Sequence, residues 1–355
     1  MDWIRGENVG HGSFATVNLA VPRSKSGGVF PLMAVKSCGF SQSSSLMKEK
    51  LILDELKDCP EVVRCFGESF SYENGEKLYN VLLEYAPGGT LADKLKNYSD
   101  RRLPESEVRR CTKALLRGIH YIHKLGYVHC DIKLQNILLG SNGGVKIADF
   151  GLAKKAEGGV SACELRGTPL YMSPEMVYSG EQGPPADIWA VGCVVAEMAT
   201  GSPAWRCSDV PGLLFRIGIG EEVPEIPGNL SAEGKDFVRR CFVKNPSNRW
   251  TAEMLLNHPF IADDQDFDDD VDVVSLTTKE EQSASISPRC PLDFPDWASS
   301  TCSTTSLPLP VYSSEYGSSF SGDLWSISPS VHLRDLVNNQ ILLDWSVSDD
   351  WLTVR

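Results

Sequence analysis

The pattern of hydrophobic and polar positions predicts a run of strands early in the chain. Residues 3–36 alternate apolar and polar positions between turn residues, which predicts three strands joined by two turns. The apolar positions that alternate are Val9, Phe14, Val17 and Leu19. Two further apolar runs, Val62–Phe66 and Tyr79–Leu83, predict two more strands.

Helical spacing of apolar residues predicts helices in two places. Ser45–Leu56 carries one such set and Glu105–Lys124 carries a second, longer one. The apolar positions are Leu46, Leu51, Leu53 and Leu56 in the first helix, and Val108, Leu115, Leu116, Ile119 and Ile122 in the second. A short apolar run, Ile137–Leu139, followed by turn residues, predicts a small strand after the second helix.

The pattern ends near residue 262, where the composition becomes acidic and rich in Ser and Thr. The net charge of the chain is −13, and residues 262–355 contain 17 acidic and 4 basic residues, so that the first 261 residues are neutral. An acidic tail on a neutral body argues against nucleic-acid binding, which needs basic patches. We predict that residues 262–355 are disordered.

Tryptophans recur in this tail, and two interpretations remain open. Trp297, Trp345 and Trp351 each follow an aspartate directly, while Trp325 does not. Chance recurrence in an acidic segment is the simpler interpretation, and docking motifs for regulatory proteins are the other. A helix-like stretch, Val331–Trp345, could fold on such a partner. Two Ser-Pro pairs, at Ser287 and Ser328, could accept phosphate from proline-directed kinases.

The remaining composition predicts a protein of a reducing compartment. The 11 cysteines include no C-x-x-C pair, so a disulfide framework is not expected. No apolar stretch is long enough to span a membrane, and the start of the sequence has no signal-peptide pattern. We therefore expect no membrane insertion and a location in the cytoplasm, the nucleus or both.

Candidate catalytic groups cluster around residues 126–151. His129, Asp131, Lys133 and Asn136 precede the strand predicted at residues 137–139, and Asp149-Phe150-Gly151 follows it. Two carboxylates, an ammonium and an amide on linked loops can hold Mg²⁺, orient a hydroxyl and neutralise phosphate charge.

A second group of candidates lies near the start of the chain. Gly10 and Gly12 belong to a small-residue segment that lets backbone N–H groups approach phosphates, although glycine-rich hairpin turns are also common structural features. The strands predicted on both sides argue against a Rossmann turn, which should open a helix. Lys36 ends an apolar strand and needs a carboxylate partner, for which Glu49 and Glu55 are the candidates; we prefer Glu49 by register.

The spacing H-C-D-x-K-x-x-N, followed by D-F-G, resembles the catalytic loop of protein kinases. The resemblance covers residues 3–261. It implies an α+β, bilobal fold with an antiparallel N-lobe sheet carrying one main helix and a mostly helical C-lobe. The N-lobe would span about residues 3–83, the hinge 84–89 and the C-lobe about 90–261, before the tail of 262–355.

The same resemblance assigns roles to individual residues, with ATP and Mg²⁺ as cofactors. Asp131 would act on the substrate hydroxyl, Lys133 would steady the transferring phosphoryl group, and Asn136 and Asp149 would hold Mg²⁺. His129 would pack beneath the loop rather than act as a base. The nucleotide contacts would be Val9, Gly10, Gly12, Val17, Ala34, Lys36, Glu49, Glu84 and Ala86.

Further motifs resemble one branch of the family. A lysine at position 133 and the motif at Gly167–Glu175 resemble the corresponding features of Ser/Thr kinases. The same motif, together with the Asn257–Phe260 ending, resembles that of MAP kinase kinase kinases. The H-C-D-I-K loop resembles the short plant members. This implies phosphorylation of MAP kinase kinases in stress or hormone signalling. The alternatives are a pseudokinase scaffold acting through its tail, or a Ser/Thr kinase outside the cascade.

Four residues would support the site rather than react. By resemblance, Thr168 contacts the catalytic loop, with a phosphorylation site as its other interpretation. Glu175 pairs with Arg249, and Asp187 braces the backbone of the catalytic loop.

Cys130 departs from the family pattern, because most members have arginine there to bind a phosphate on the activation loop. We therefore predict that activity depends only weakly on phosphorylation of that loop, where Ser161 is a candidate site. Redox control through Cys130 or Cys163 is a further alternative, but a plain small side chain is the simpler interpretation.

Overall fold

The computed structural model describes residues 2–12, 15–23, 31–156, 166–207 and 209–262, together with the backbone of 285–286. Within these residues the chain forms a sheet-rich N-lobe and a helical C-lobe, which confirms the α+β, bilobal prediction.

Five antiparallel strands form the N-lobe sheet, in the spatial order β1-β2-β3-β5-β4. The strands are β1 (Trp3–His11), β2 (Thr16–Pro22), β3 (Met33–Gly39), β4 (Cys65–Glu73) and β5 (Glu76–Glu84). Three strands lie where the sequence predicts them, although their burial does not alternate strictly and Phe14 falls outside the described residues. The hinge therefore begins on the last residue of β5.

The strand predicted at Val62–Phe66 starts later than expected. Val62 forms an isolated parallel bridge with Ile147 of the C-lobe, and the N–H of Val63 donates to the carbonyl of Ile147 at 2.9 Å. The N–H of Ile147 donates in turn to Glu61 at 2.6 Å. Because the backbone of residues 61–63 is hydrogen-bonded to Ile147 of the C-lobe, β4 begins only at Cys65.

The N-lobe helix α1 (Ser44–Glu55) packs against the sheet, between β3 and β4 in the sequence. Its buried face consists of Leu46, Glu49, Ile52 and Leu53. Leu51, which belongs to the predicted apolar set, is 62% exposed. A glutamate on the buried face requires a cationic or hydrogen-bonding partner.

The C-lobe is built on two long helices, α3 and α5, that contact one another. Its described helices are α2 (Leu91–Lys96), α3 (Glu105–Lys124), α4 (Pro174–Ser179), α5 (Pro184–Thr200), α6 (Val210–Gly218), α7 (Ala232–Cys241), α8 (Ala252–Leu256) and α9 (Pro259–Ala262). Nearly all of α5 is buried, so it is the core helix of this lobe. It ends at Gly201, where a Cβ would lie 2.4 Å from the carbonyl oxygen of Arg101.

Two small two-stranded sheets flank the catalytic loop. β6 (Tyr127–Val128) pairs with β9 (Lys154–Lys155), and β7 (Ile137–Leu139) pairs with β8 (Val145–Ile147). The loop at residues 129–136 therefore runs between two strands that are each anchored by a partner, which limits its movement.

The tail predictions fall outside the described residues, with one exception. Ser285–Ile286 forms a short strand, β10, which the prediction of disorder did not anticipate. Among the helices described in the structure, none combines the length and apolar character needed to cross a bilayer.

Candidate active site

Three charged side chains from different elements meet between the lobes. The ammonium of Lys36, on β3, lies 2.6 Å and 2.8 Å from the carboxylate oxygens of Glu49, on α1. It also lies 2.9 Å from Oδ1 of Asp149, in the loop after β8. Glu49 rather than Glu55 is thus the partner, as its position on the buried face of α1 requires. Its carboxylate also accepts from the N–H of Phe150 at 3.2 Å.

The glycine-rich segment, Gly10–Val17, begins at the end of β1 and finishes at the start of β2. Val9 and Gly10 belong to β1 and Val17 to β2, while the N–H of Gly12 donates to the carbonyl of Ala15 at 2.8 Å. Val17 packs against the core that includes Ala34. Val17 lies opposite Lys36 in the β2–β3 ladder and opposite Gly10 in the β1–β2 ladder, so these predicted nucleotide contacts are brought into register with one another.

The side chain of Glu84, at the start of the hinge, is engaged by other protein groups. The Glu84 carboxylate lies 2.9 Å from the ammonium of Lys146 and accepts from the N–H of Arg64 at 3.2 Å. Ala86 follows in the hinge, and its carbonyl accepts from Gly89. A ligand at these two positions would therefore meet main-chain groups, as the resemblance implies.

The catalytic loop forms a closed hydrogen-bonded network around Asp131. The hydroxyl of Thr168 donates to Oδ1 at 2.8 Å, and the amide of Asn136 donates to Oδ2 at 3.0 Å. The ammonium of Lys133 lies 3.1 Å from Oδ2 and donates to the Thr168 hydroxyl at 3.0 Å. All four side chains are buried, so each is held in one orientation.

The two predicted metal ligands are tied together by main chain. The N–H of Ala148, the residue before Asp149, donates to the carbonyl of Asn136 at 2.9 Å. Asp149 has a positive φ of 63°, a conformation that costs free energy and is found at functional sites. The side chains of Asn136 and Asp149 supply an amide and a carboxylate oxygen, the donor atoms that Mg²⁺ prefers.

Asp187 braces the start of the loop from α5. Its Oδ2 accepts from the N–H of His129 at 2.9 Å, and its Oδ1 accepts from the N–H of Cys130 at 3.0 Å. Its Oδ2 also lies 2.8 Å from Nε2 of His123. Burial by itself would raise the pKa of Asp187, but the bond with His123 and the attraction of nearby groups hold it below its usual value. The bracing group is therefore a carboxylate at neutral pH.

His129 is fully buried and is used to build the loop. Its Nε2 lies 3.1 Å from the carbonyl of Ala148, and its ring packs edge-on against Phe150. Burial lowers the pKa of its imidazole, so the neutral form is favoured. The site thus places this histidine where it supports both the catalytic loop and the segment that begins at Asp149.

Cys130 occupies a strained and enclosed position. Its φ is 66°, in the left-handed region, and the residue is buried. Burial, followed by the nearby charge of Asp187, raises the pKa of the thiol, which disfavours the reactive thiolate. This speaks against redox control through Cys130. Ser161 and Cys163 lie outside the described residues.

Comparison with known proteins agrees with this geometry. A family model described as the protein kinase domain matches residues 3–261. Mitogen-activated protein kinase kinase kinase 20 of Arabidopsis thaliana is 48% identical over the whole of both chains.

The chain belongs to the protein kinase family, among the mitogen-activated protein kinase kinase kinases.

Two further relatives from Arabidopsis thaliana match less of the kinase. Mitogen-activated protein kinase kinase kinase 17 is 41% identical over 76% of this chain and 72% of its own. Mitogen-activated protein kinase kinase kinase 18 is 42% identical over 74% of this chain and 78% of its own. The prediction of a Ser/Thr kinase of this group is confirmed.

The ion pair predicted between Glu175 and Arg249 is present in the kinase. The two guanidinium NH₂ groups contact the two carboxylate oxygens at 2.7 Å and 2.9 Å. Arg249 also donates to the carbonyls of Val243, Lys244 and Pro185. The pair connects α4, which follows Thr168, to the segment between α7 and α8.

Sequence reasoning missed two supporting contacts. His123 lacks a carboxylate neighbour in the sequence, yet it meets Asp187 across 64 positions. Tyr171, in the Gly167–Glu175 segment, donates its hydroxyl to Glu197 of α5. The only available signal was Glu197 itself, a lone carboxylate within the apolar run Ile188–Ala199.

Proposed function

We propose that the kinase transfers the γ-phosphate of ATP, bound with Mg²⁺, to serine or threonine residues of MAP kinase kinases. The observation that carries the proposal is the pair of adjoining networks, Lys36–Glu49–Asp149 and Asp131–Lys133–Thr168. The first places the ammonium of Lys36 between carboxylates of the two lobes, and the second fixes the carboxylate of Asp131 through hydrogen-bond donors. Phosphoryl transfer needs such positioning and charge stabilisation more than covalent help.

The residues present fit an ATP·Mg²⁺ complex. Asn136 uses its amide nitrogen on Asp131, which leaves its carbonyl oxygen as the donor for a cation. Asp149 would supply the second protein oxygen. Bound there, Mg²⁺ would neutralise phosphate charge. Lys36 would contact phosphate oxygens, and Glu49 would keep its ammonium in place.

Asp131 would receive the hydroxyl of the substrate. Thr168, Asn136 and Lys133 fix both of its oxygens, so the lone pairs that remain point in defined directions. Lys133 would also stabilise the charge that develops on the transferring phosphoryl group. The two residues therefore have separate roles within one network.

The substrate class rests on likeness. The relatives are named as mitogen-activated protein kinase kinase kinases, and likeness to one of them extends over the full chain. On this basis we propose MAP kinase kinases as substrates. The proposed location, the cytoplasm, the nucleus or both, rests on the sequence composition alone. Proteins that bind the acidic tail would be further partners.

The proposal can be separated from its rivals in one assay. The full chain and an Asp131→Asn variant are incubated with Mg²⁺, labelled ATP, a generic substrate and inactive MAP kinase kinases. We expect label on serine or threonine of a MAP kinase kinase with the wild-type chain alone. No transfer to any substrate would favour a scaffold, and transfer to the generic substrate alone would favour a kinase outside the cascade.

A further inference from the structure

A segment of the tail pairs with the edge of the N-lobe sheet. β10 runs parallel to β1, with Ser285 opposite Gly10 and Ile286 opposite His11. β1 has β2 on its other side, so β10 occupies an edge that would otherwise present unpaired backbone groups. An extended segment added to such an edge is a common mode of peptide recognition.

The point of contact lies on the glycine-rich segment rather than at the far end of β1. Gly10 and His11 are the last two residues of β1, and Gly12 follows as the start of the turn closed by its bond to Ala15. Any ladder formed there restricts the backbone of the first arm of the turn. At the other end of β1, Trp3 pairs with Pro22 of β2.

The connection within the chain makes a short ladder sufficient. The kinase domain ends with α9 at Ala262, and residues 263–284 join it to β10. At full extension a segment of this length reaches roughly 70 Å. A segment tethered in this way acts at an effective concentration of about a millimolar, so weak pairing can still be populated.

The sequence also limits the strength of the contact. Pro288 has no N–H to donate and cannot extend a ladder beyond Ser287. A parallel pair of two residues is therefore a contact that can open and close, unlike the longer antiparallel ladders of the sheet.

We propose that the tail segment at Ser285–Ile286 docks on the edge of β1 and restrains the glycine-rich segment, so that nucleotide exchange is slower in the full chain. The second half of this statement rests on the proposed function of the glycine-rich segment in ATP binding. The first half concerns docking alone and can be tested without nucleotide.

The chain provides a matched control. The sequence Ser-Ile-Ser-Pro occurs at residues 285–288 and again at 326–329. Because N–H groups alternate along a strand, only one residue of a pair donates toward its neighbour, and a double proline substitution removes that donor in either case. We therefore compare Ser285→Pro/Ile286→Pro with Ser326→Pro/Ile327→Pro, each in the full chain.

The first readout is amide hydrogen exchange of a peptide covering residues 7–12, measured without nucleotide. Loss of a hydrogen bond of ordinary strength predicts exchange about fivefold faster in the 285/286 variant. The 326/327 variant should match the wild-type chain. The rates should not change with protein concentration, because the contact forms within one chain.

The second readout is the rate of ADP dissociation, followed by displacement of a fluorescent analogue. We expect an increase of about two- to fivefold in the 285/286 variant and none in the control. Unchanged exchange in the 285/286 variant, or equal change in both variants, would overturn the docking. Faster exchange with an unchanged ADP rate would overturn the restraint on nucleotide alone, and failure of all variants to bind ADP would count against the proposed function instead.

Discussion

Two buried ion pairs in this kinase use the same chemistry for different ends. Arg249 and Glu175 have side chains that are 0% and 7% exposed, and Arg249 donates five hydrogen bonds to protein groups. Lys36 is 12% exposed and shares its charge between Glu49 and Asp149, the latter 16% exposed. The Arg249–Glu175 pair, which we call the closed pair, is almost fully buried. The group formed by Lys36, Glu49 and Asp149, which we call the open pair, is partly exposed at Lys36 and Asp149.

The difference separates stability from catalysis. A guanidinium whose N–H groups all bind protein has nothing left for a ligand, so the Arg249–Glu175 pair can act only on the fold. An ammonium held between two carboxylates from different elements keeps its position while its surroundings change. Only the second arrangement suits phosphate binding.

The largest expected effect on stability is at the closed pair. Arg249→Met would leave the Glu175 carboxylate buried without its cation, and we expect a loss of about 3–5 kcal/mol in the free energy of unfolding. Denaturation with urea measures it. The control is Arg102→Met, which breaks an exposed pair with Asp100 and should cost less than about 1 kcal/mol. Equal losses would remove the distinction.

At the open pair, substitution of Lys36 should lower the rate of catalysis. Lys36→Met removes the cation proposed for the phosphates, and we expect kcat to fall about 10²- to 10³-fold. Lys96→Met, which breaks an exposed ion pair with Asp93 on α2, serves as the control for activity. A Lys36→Met enzyme with wild-type kcat would contradict the role.

The carboxylate group of Glu197 is buried without a cationic partner among the residues that the structure describes, and its neighbour is the hydroxyl of Tyr171. Burial raises its pKa to about 7, despite the hydrogen bond from Tyr171. The folded state thus binds a proton that the unfolded state releases near its ordinary pKa. Stability should therefore fall as the pH rises from about 4.5 to about 7, by at most about 3 kcal/mol from this group.

The comparison is with Glu197→Gln, measured as unfolding free energy across the same pH range. The variant should lose this part of the pH dependence. Its free energy of unfolding, relative to that of the wild type, should therefore be higher at pH 8 than at pH 5. A wild-type profile that runs parallel to that of the variant would contradict the raised pKa.

Thr168 should show a smaller effect. Its hydroxyl joins Lys133 to Asp131, so Thr168→Ala should reduce kcat about 10- to 100-fold through loss of a bond to a charged group. Thr168→Ser keeps the hydroxyl and should restore most of the activity. Equal rates for the alanine and serine variants would show that the methyl group, not the hydrogen bond, matters.

The smallest effect is expected at Ser161. Cys130 cannot bind a phosphate as arginine does, so Ser161→Ala and phosphatase treatment should each change specific activity less than about twofold. Thr168→Ala, in the same assay, shows that a loss can be detected. A large loss from both treatments would mean that another residue replaces the missing arginine.

Order along the chain was enough to predict which of the proposed site residues lie together, while their roles came from the resemblance to protein kinases. Asp131, Asn136 and Asp149 lie on two linked loops, so local spacing fixes their proximity, and the register of one helix selected Glu49 over Glu55. The partners of His123 and Glu197 were not predictable, because they come from contacts between elements far apart in sequence. Leu51 was expected on the buried face of α1 but is exposed, and Val62 was expected in a strand of the N-lobe but bridges to Ile147. Both outcomes depend on contacts with elements that are distant in sequence.

The most direct test of the central claim is transfer of labelled phosphate to an inactive MAP kinase kinase, comparing the wild-type chain with Lys36→Met and Arg249→Met at a temperature where each is folded. The account predicts phosphoserine or phosphothreonine with the wild-type chain and with folded Arg249→Met, and almost none with Lys36→Met. Equal transfer by wild type and Lys36→Met, or none by the wild-type chain with Mg²⁺ and ATP present, would contradict it.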